Sequence, residues 1–378
     1  MALIATSGYD HTIRFWEPTN GICYRSFQYM DSHVNRLEIT PDKRYIAAAG
    51  NPRISFFDLT SSGQHAISNY DGHTNNVVEI GFQREQRWFF SGSEDGLVKV
   101  WDFREKQAKR AYKSSDPVTA VVLHPSQMEL IAGYQNGAIR IWDLNSADSC
   151  VFETTPMPNV AVRSLTVSRD GSMLIAATSK GRCFVYNLST ARSDVPSPSR
   201  LELQHSFPAH DTYILKCLLS PNGRLLATCS ADHTVKIWNA NDFALEKTLM
   251  AHTQWVWDCV FTIDSAYLVT ASSDRKAMLW ELGSARPVKT YTGHHKPVVC
   301  VAMNDTSVPP APGPTPFPQA EQGPRSAMPQ QQAQPPPPTS SVAPAPVRPT
   351  RHTMTAAPAP YMQQPQPQAQ PQAQPQGS

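Results

Sequence analysis

The sequence has little net charge, no long apolar run and no closely paired cysteines, and each shortage excludes a class of protein. Its 378 residues carry a formal net charge of +2, too little to attract the whole protein to nucleic acid or an anionic membrane. No apolar stretch approaches the roughly 18 residues of a membrane-spanning helix, and the N-terminus does not follow the signal-peptide pattern. We therefore expect a cytoplasmic protein without direct membrane insertion and without a nucleic-acid partner.

The seven cysteines are an odd number, and no two of them form a CxxC pair. Structural zinc sites need paired ligands at short spacing, so we expect free thiols in a reducing compartment. A glycine-rich phosphate loop, paired catalytic carboxylates and a metal-ligand cluster are also missing from the sequence. These shortages predict a protein that is not an enzyme and binds no cofactor or metal.

The composition changes sharply near Asp305. Residues 306–378 hold 21 of the 34 prolines and are rich in glutamine and alanine. A segment of this kind cannot bury enough apolar surface to offset the entropy lost on ordering. We predict a folded domain at 1–305 and a disordered Pro/Gln-rich tail at 306–378, which is either passive or a source of PxxP ligands.

A strand–turn–strand pattern that ends on an aromatic residue recurs along the first 305 residues. Examples are "SGYDHTIRFWE", "WFFSGSEDGLVKVWDF" and "LLATCSADHTVKIWNAND". The seven aromatic positions are Trp16, Phe57, Trp101, Trp142, Tyr186, Trp238 and Trp280. Their spacings of 41, 44, 41, 44, 52 and 42 residues match the period of about 40–45 in four-stranded propeller blades. The pattern predicts an all-β, seven-bladed WD-repeat propeller, with residues 189–204 as a surface loop in the longest interval.

The two ends of the repeat region are each incomplete. The first unit has no inner strand before it, whereas the last apolar segment, Val298–Met303, is an inner strand with nothing after it. We expect this segment to pair beside Leu3–Ser7 and close the ring, because closure removes exposed sheet edges.

Four blades carry the same four polar or aromatic positions: a His before the inner strand, a Ser or Thr in the second strand, an Asp in the turn and a Trp in the third. The sets are His73, Ser91, Asp95 and Trp101; His210, Thr228, Asp232 and Trp238; His252, Thr270, Asp274 and Trp280; and His294, Thr6, Asp10 and Trp16. A catalytic triad occurs once in an enzyme, whereas this set occurs four times. We therefore interpret these tetrads as structural networks that satisfy buried polar groups.

Three blades lack the tetrad. His33 does not supply it in blade two, because it directly precedes the inner-strand residue Val34. The residues at the histidine and hydroxyl positions are Met30 in blade two, Ser114 and Ala132 in blade four, and Pro158 and Ala176 in blade five. We expect these blades to depend on apolar packing and to be less rigid.

Two positions in each blade should face one mouth of the central channel: the residue before the first inner-strand aliphatic and the residue before the turn Asp. In blades six, seven and one these positions hold Tyr213, Trp255 and Tyr9, with His33 following in blade two and Asn76 in blade three. Exposed Tyr and Trp dominate binding hot spots, so we predict a partner-binding sector there. Local packing of Trp255 with Trp257 is the simpler interpretation.

The individual residues of the repeats show a more specific resemblance. "SGYDHTIRFWE", "GICYRSFQYMDSHVNRLEITPD", "HTQWVWDC", "VTASSDRKAMLW" and "VVCVAMND" resemble the small WD-repeat subunits of the target-of-rapamycin (TOR) kinase complexes, over roughly residues 1–305. "DSHVNRLEITPD" and "WVWDC" are the more telling stretches, because the propeller fold does not require them. The Pro/Gln-rich tail departs from the compact family pattern.

The resemblance implies a non-catalytic scaffold subunit that binds the TOR kinase domain and supports its active conformation. Its partners would be the kinase and the other complex subunits, with this chain as a single copy in a larger assembly. The complex would also bring it to endomembranes such as the vacuole or lysosome. Two alternatives are a peptide-reading adaptor, for example of a ubiquitin ligase, and a trafficking scaffold with an open blade.

Overall fold

The computed structural model describes residues 3–30, 32–145, 150–189 and 199–304. It consists of seven four-stranded antiparallel sheets, each of them one propeller blade. The all-β, seven-bladed propeller predicted from the repeat is confirmed. The predicted tail at 306–378 and the domain boundary at 305 lie outside the described residues and stay predictions.

Each blade runs from an inner strand at the channel to an outer strand at the circumference of the ring. Blade one contains β1 (Leu3–Gly8), β2 (Thr12–Trp16) and β3 (Cys23–Gln28); blade two β4 (Arg36–Ile39), β5 (Tyr45–Ala49), β6 (Ile54–Asp58) and β7 (Ser68–Tyr70); blade three β8 (Val77–Phe82), β9 (Trp88–Ser93), β10 (Leu97–Asp102) and β11 (Ala108–Lys113); blade four β12 (Val118–Leu123), β13 (Glu129–Tyr134), β14 (Ile139–Asp143) and β15 (Cys150–Thr154). Blade five contains β16 (Val162–Val167), β17 (Met173–Thr178), β18 (Arg182–Ser189) and β19 (Arg200–Pro208); blade six β20 (Ile214–Leu219), β21 (Leu225–Ser230), β22 (Val235–Asn239) and β23 (Leu245–Leu249); blade seven β24 (Val256–Phe261), β25 (Tyr267–Ser272), β26 (Lys276–Glu281) and β27 (Arg286–Thr292).

The last strand, β28 (Val298–Asn304), completes blade one. It pairs antiparallel with β1, in a register that sets Ile4 opposite Met303 and Thr6 opposite Val301. The predicted ring closure between the two ends of the repeat region is therefore confirmed.

The hydrophobic core is divided into seven clusters, one between each pair of neighbouring blades. Between blades one and two, Phe27 stacks on Phe57 with ring centroids 5.0 Å apart. At the seam between blades seven and one, Trp16 packs against Tyr291 and Val298. The period-2 alternation of the strands explains this division, because each blade has two apolar faces and buries one against either neighbour.

The prediction of a surface loop at 189–204 is wrong for part of that range. Strands β18 and β19 of blade five are eight and nine residues long, and Leu201 pairs with Leu188 inside the blade. Leu201 is buried in the core cluster between blades four and five, so the hairpin lengthens instead of looping out. Residues 190–198 lie outside the described part.

The seven cysteines are free thiols, five of them buried, with Cys23 partly buried and Cys150 exposed. The described residues form no helix of the length and apolar character that a bilayer crossing needs. Within the same residues, no three His, Cys, Asp or Glu side chains are arranged to hold a metal ion.

Candidate partner-binding face

The four tetrads are hydrogen-bonded networks in the structure. In blade three, His73 Nδ1 lies 2.8 Å from Asp95 Oδ2, His73 Nε2 lies 2.7 Å from Ser91 Oγ, and the Trp101 indole donates to Ser91 Oγ at 2.8 Å. A carboxylate can only accept, so Nδ1 is the donor and Nε2 accepts the hydroxyl proton. The other three tetrads have the same bonds, at 2.6–2.9 Å.

The tetrad aspartates also bind the loops at the channel mouth. Asp274 accepts from the backbone N–H groups of Thr253 and Lys276, and Asp10 accepts from those of Thr12 and His295. Burial alone would raise the pKa of Asp95, but the hydrogen bond from His73 and two backbone N–H groups lower it to about 2. Because Asp10 accepts from His294, the closing blade is held together by residues 284 positions apart.

Blade four has a polar network of its own, which corrects the expectation that it depends on apolar packing alone. The Trp142 indole donates to the Tyr134 hydroxyl at 3.1 Å, and the Arg140 guanidinium lies 4.7 Å above the Tyr134 ring. Arg140 also pairs with Glu153 at 3.0 Å and donates to Ser114. Burial raises the pKa of Tyr134 to about 12.

Blades two and five lack this substitute. In blade two the loop is held by Ser32, whose hydroxyl accepts from Asn51 N–H at 2.8 Å, while Met30 is 80% exposed. In blade five the buried Tyr186 hydroxyl has no hydrogen-bond partner among the described residues. Blade five therefore has neither a tetrad nor a described partner for the hydroxyl of its third-strand aromatic residue.

The two sets of mouth positions predicted from the sequence meet in the structure, and we call them the rim residues. In six blades the backbone N–H of the second rim residue donates to the carbonyl of the first, at 2.9–3.1 Å. These pairs are Tyr9 and Pro297, Glu94 and Asn76, Gln135 and Pro117, Ser179 and Ala161, Ala231 and Tyr213, and Ser273 and Trp255. Blade two differs, because Gly50 N–H donates to Arg53 O at 3.0 Å within its own turn.

The candidate partner-binding residues form two aromatic pairs on this rim. Tyr9 stacks on His33 with centroids 4.7 Å apart, and Tyr213 lies 6.5 Å from Trp255. Tyr9 is 38% exposed and Tyr213 48% exposed, whereas Trp255 is partly buried. Burial and the neighbouring His11 lower the pKa of His33, so the Tyr9–His33 stack is uncharged near neutral pH.

The remaining candidates are bound more closely to their own blades. The Asn76 side chain donates to Glu94 at 2.8 Å. Trp255 packs against Trp257 at 5.6 Å, and the Trp257 indole donates to the Ser273 hydroxyl at 2.6 Å. Local packing of Trp255 and its partial exposure thus coexist.

A charged cluster lies deeper in the channel, and the sequence analysis missed it. Arg36 lies 2.7 Å from Glu79 and 2.9 Å from Asp258, while Lys216 lies 3.8 Å from Glu79. These four residues occupy equivalent inner-strand positions of blades two, three, seven and six, each opposite the second strand near its mouth end. The signal was available in the register, because charged residues recur at one position where a buried strand normally has apolar ones.

Comparison with known proteins agrees with this architecture. The family described as "WD domain, G-beta repeat" matches residues 64–102, 106–143, 201–239 and 243–281, which end on blades three, four, six and seven. The chain is therefore a WD-repeat propeller protein.

Three relatives define the family more narrowly. The target of rapamycin complex subunit wat1 of Schizosaccharomyces pombe is 52% identical over 308 residues, which are 81% of this chain and 96% of that protein. LST8 of Saccharomyces cerevisiae is 47% identical over 80% of this chain and 99% of its own, and LST8-1 of Arabidopsis thaliana is 54% identical over 65% and 80%. The chain belongs to the LST8 family of target of rapamycin complex subunits.

Proposed function

We propose that this chain is a non-catalytic subunit that binds the kinase catalytic domain of a TOR complex and supports its active conformation. The observation that carries the proposal is the match to proteins named target of rapamycin complex subunits along almost their whole length. The proposed location is the cytoplasm, and endomembranes such as the vacuole or lysosome through the complex.

The rim of blades six, seven and one is the surface we propose for the kinase. Its aromatic residues Tyr213, Trp255 and Tyr9 each lie within three residues of a tetrad member, so the tetrads hold them in place before binding. Large amphipathic side chains on rigid backbone lose little entropy when a partner covers them, which favours tight binding.

The alternatives have less support in the described residues. A peptide-reading adaptor predicts accessible cations from several blades. Arg36 and Lys216 are paired with Glu79 and Asp258 inside the channel, and the cations at the mouth, Arg163 and Lys180, both belong to blade five. A trafficking scaffold predicts an open blade, but β28 fills blade one.

The test is a Trp255→Ala, Tyr213→Ala double variant of the tagged full chain, purified from cells. We expect an unchanged melting midpoint and loss of most co-purifying TOR kinase. Tyr24→Ala with Ile22→Ala is the matched control, because these side chains are 57% and 59% exposed on the outer part of blade one. Full kinase recovery with the rim variant at physiological salt would move the contact to another surface.

A further inference from the structure

At the channel mouth, blade five has smaller rim side chains than its neighbours and carries a positive charge. Its two rim residues are Ala161 and Ser179, so no large side chain of this blade covers the mouth. Lys180 stands at the turn position that Asp10, Asp95, Asp232 and Asp274 occupy in the tetrad blades. Lys180 is exposed and takes part in no hydrogen bond or ion pair within the described ranges.

Arg163 lies on the inner strand of blade five, two residues after the rim residue Ala161. Six inner strands bulge by one residue just inside the rim, at Val299, Val78, Thr119, Arg163, Leu215 and Trp257. Arg163 is the charged member of this set, and in the part of the chain that the structure describes it forms neither a hydrogen bond nor an ion pair. A partly buried guanidinium without an anion is a costly arrangement unless a ligand supplies one.

The surroundings of Arg163 locate it at the mouth. Burial lowers the pKa of its guanidinium, while Glu94 on blade three and the Tyr213 hydroxyl on blade six act in the opposite direction. Glu94 is engaged by the Asn76 side chain at 2.8 Å, and Asp211, the exposed acid of the next loop, forms no ion pair with either cation among the described residues. The two cations therefore remain available to an incoming anion.

We propose that Ala161, Arg163, Ser179 and Lys180, the blade-five notch, receive an acidic side chain from a protein segment that crosses the channel mouth. The planar guanidinium matches a carboxylate through two parallel hydrogen bonds, and Lys180 adds a second positive charge at the entrance. A phosphate group fits less well, because phosphate sites usually combine several cations with backbone N–H groups. The identity of the segment as part of a TOR complex rests on the proposed function, since the notch lies beside Tyr213 on the same rim.

The first experiment uses the tagged full chain with Arg163→Glu and Lys180→Glu. We expect about tenfold lower recovery of the other complex subunits and a weaker dependence of the remaining recovery on salt. Arg169→Glu with Arg224→Glu makes the same charge change on the opposite end of blades five and six, where both residues are exposed, and should leave recovery unchanged. Wild-type recovery by the notch variant would overturn the proposal.

Two further measurements separate a lost contact from a lost fold. Arg163→Met should melt at the same or a higher temperature than wild type and still recover less partner, because it removes an unpaired, partly buried charge. A photo-cross-linking residue at Ser179 should label a segment with an Asp or Glu within a few positions. Changing that acid to Arg should restore binding to the Arg163→Glu, Lys180→Glu variant.

The outcomes also distinguish the two proposals. If the wild-type chain recovers no TOR subunit but Ser179 labels an acidic segment of another protein and the charge swap rescues binding, the notch stands and the proposed function fails. If TOR subunits are recovered but the labelled segment has no acid, or the swap does not rescue, the notch proposal is wrong.

Discussion

The Asp258 carboxylate on blade seven lies 2.9 Å from the guanidinium of Arg36 on blade two, across the inner strand that closes blade one. The same carboxylate oxygen accepts the Val301 N–H of that strand at 3.0 Å. One buried acid thus connects the blades on both sides of the seam to the strand between them.

Replacing Asp258 with Ala should lower the free energy of unfolding by about 3 kcal/mol, because Arg36 and the Val301 N–H lose a buried partner together. Asp258→Asn should cost less, since its amide oxygen still accepts from Val301. Urea denaturation measures both, with the exposed Asp211→Ala as control. Equal stability of Asp258→Ala and the control would contradict the role of this contact.

Tyr134 and Tyr186 offer a matched pair of hydroxyl deletions. Tyr134→Phe leaves the buried Trp142 N–H unpaired and should cost about 1–3 kcal/mol, whereas Tyr186→Phe removes a buried hydroxyl without a described partner and should be neutral or stabilising. Thermal and urea unfolding of the two variants in parallel tests this difference. Similar losses for both would show that the Trp142–Tyr134 bond contributes little.

The tetrad aspartates should act on stability. Asp232→Ala and Asp274→Ala should each cost about 1–3 kcal/mol at neutral pH, and Asp10→Ala should also loosen the closing blade. Burial raises the pKa of Asp274, but His252 and two backbone N–H groups lower it overall, so its stabilisation is present above about pH 4 and is lost as the pH falls. The gap between wild type and Asp274→Ala should accordingly narrow in acid. A binding defect with an unchanged melting midpoint would count against this role.

Glu38 should make stability depend on pH in the opposite direction. Burial raises its pKa to about 7, with Glu79 and Asp258 adding to the effect and Arg36 and Lys216 opposing it. The folded state then holds a proton that the unfolded state releases near pH 4, so stability falls as the pH rises towards 7.

Glu38→Gln should remove this dependence and gain stability relative to wild type between pH 5 and pH 8. Urea midpoints at several pH values measure it, with the exposed Glu246→Gln as control. Parallel curves for wild type and Glu38→Gln would contradict the assignment.

Closure predicts a sharp limit to truncation. Deletion of 296–378 removes β28 and should give an aggregated or unfolded chain, whereas deletion of 307–378 keeps every described strand and should melt cooperatively. Soluble expression and calorimetry compare the two. Equally soluble and cooperative products would mean that β28 is dispensable.

The blades and tetrads could be predicted from the sequence because the pattern that indicates them is local and repeated. His252, Thr270, Asp274 and Trp280 keep one spacing that recurs in three other blades, so the register of one unit predicts the next. The charges at the inner-strand positions of Arg36 and Asp258 also recur, but the sequence does not show which of them pair. The contact joins residues 222 positions apart and depends on which inner strands meet in the ring.

Blade four illustrates a different difficulty. Tyr134 reaches the Trp142 indole from the end of the second strand, away from the position where a hydroxyl was expected, so pattern matching finds only Ala132. In blade five, strand pairing extended into a segment whose prolines and serines suggested a loop, because Leu201 buries against that blade. Tertiary packing determines both the Tyr134–Trp142 bond and the strand at Leu201, and local propensity does not predict such packing.

The register at the seam places Leu3 opposite Asn304, so both ends of the described chain belong to one hydrogen-bonded strand pair. A short linker between them would convert the polypeptide of residues 3–304 into a topological circle. The circle could be cut elsewhere, for example at the exposed Asn241 in the turn between β22 and β23, and the seam would then move into blade six. The order in which the chain visits its blades is thus one of several circular permutations that are compatible with the same ring.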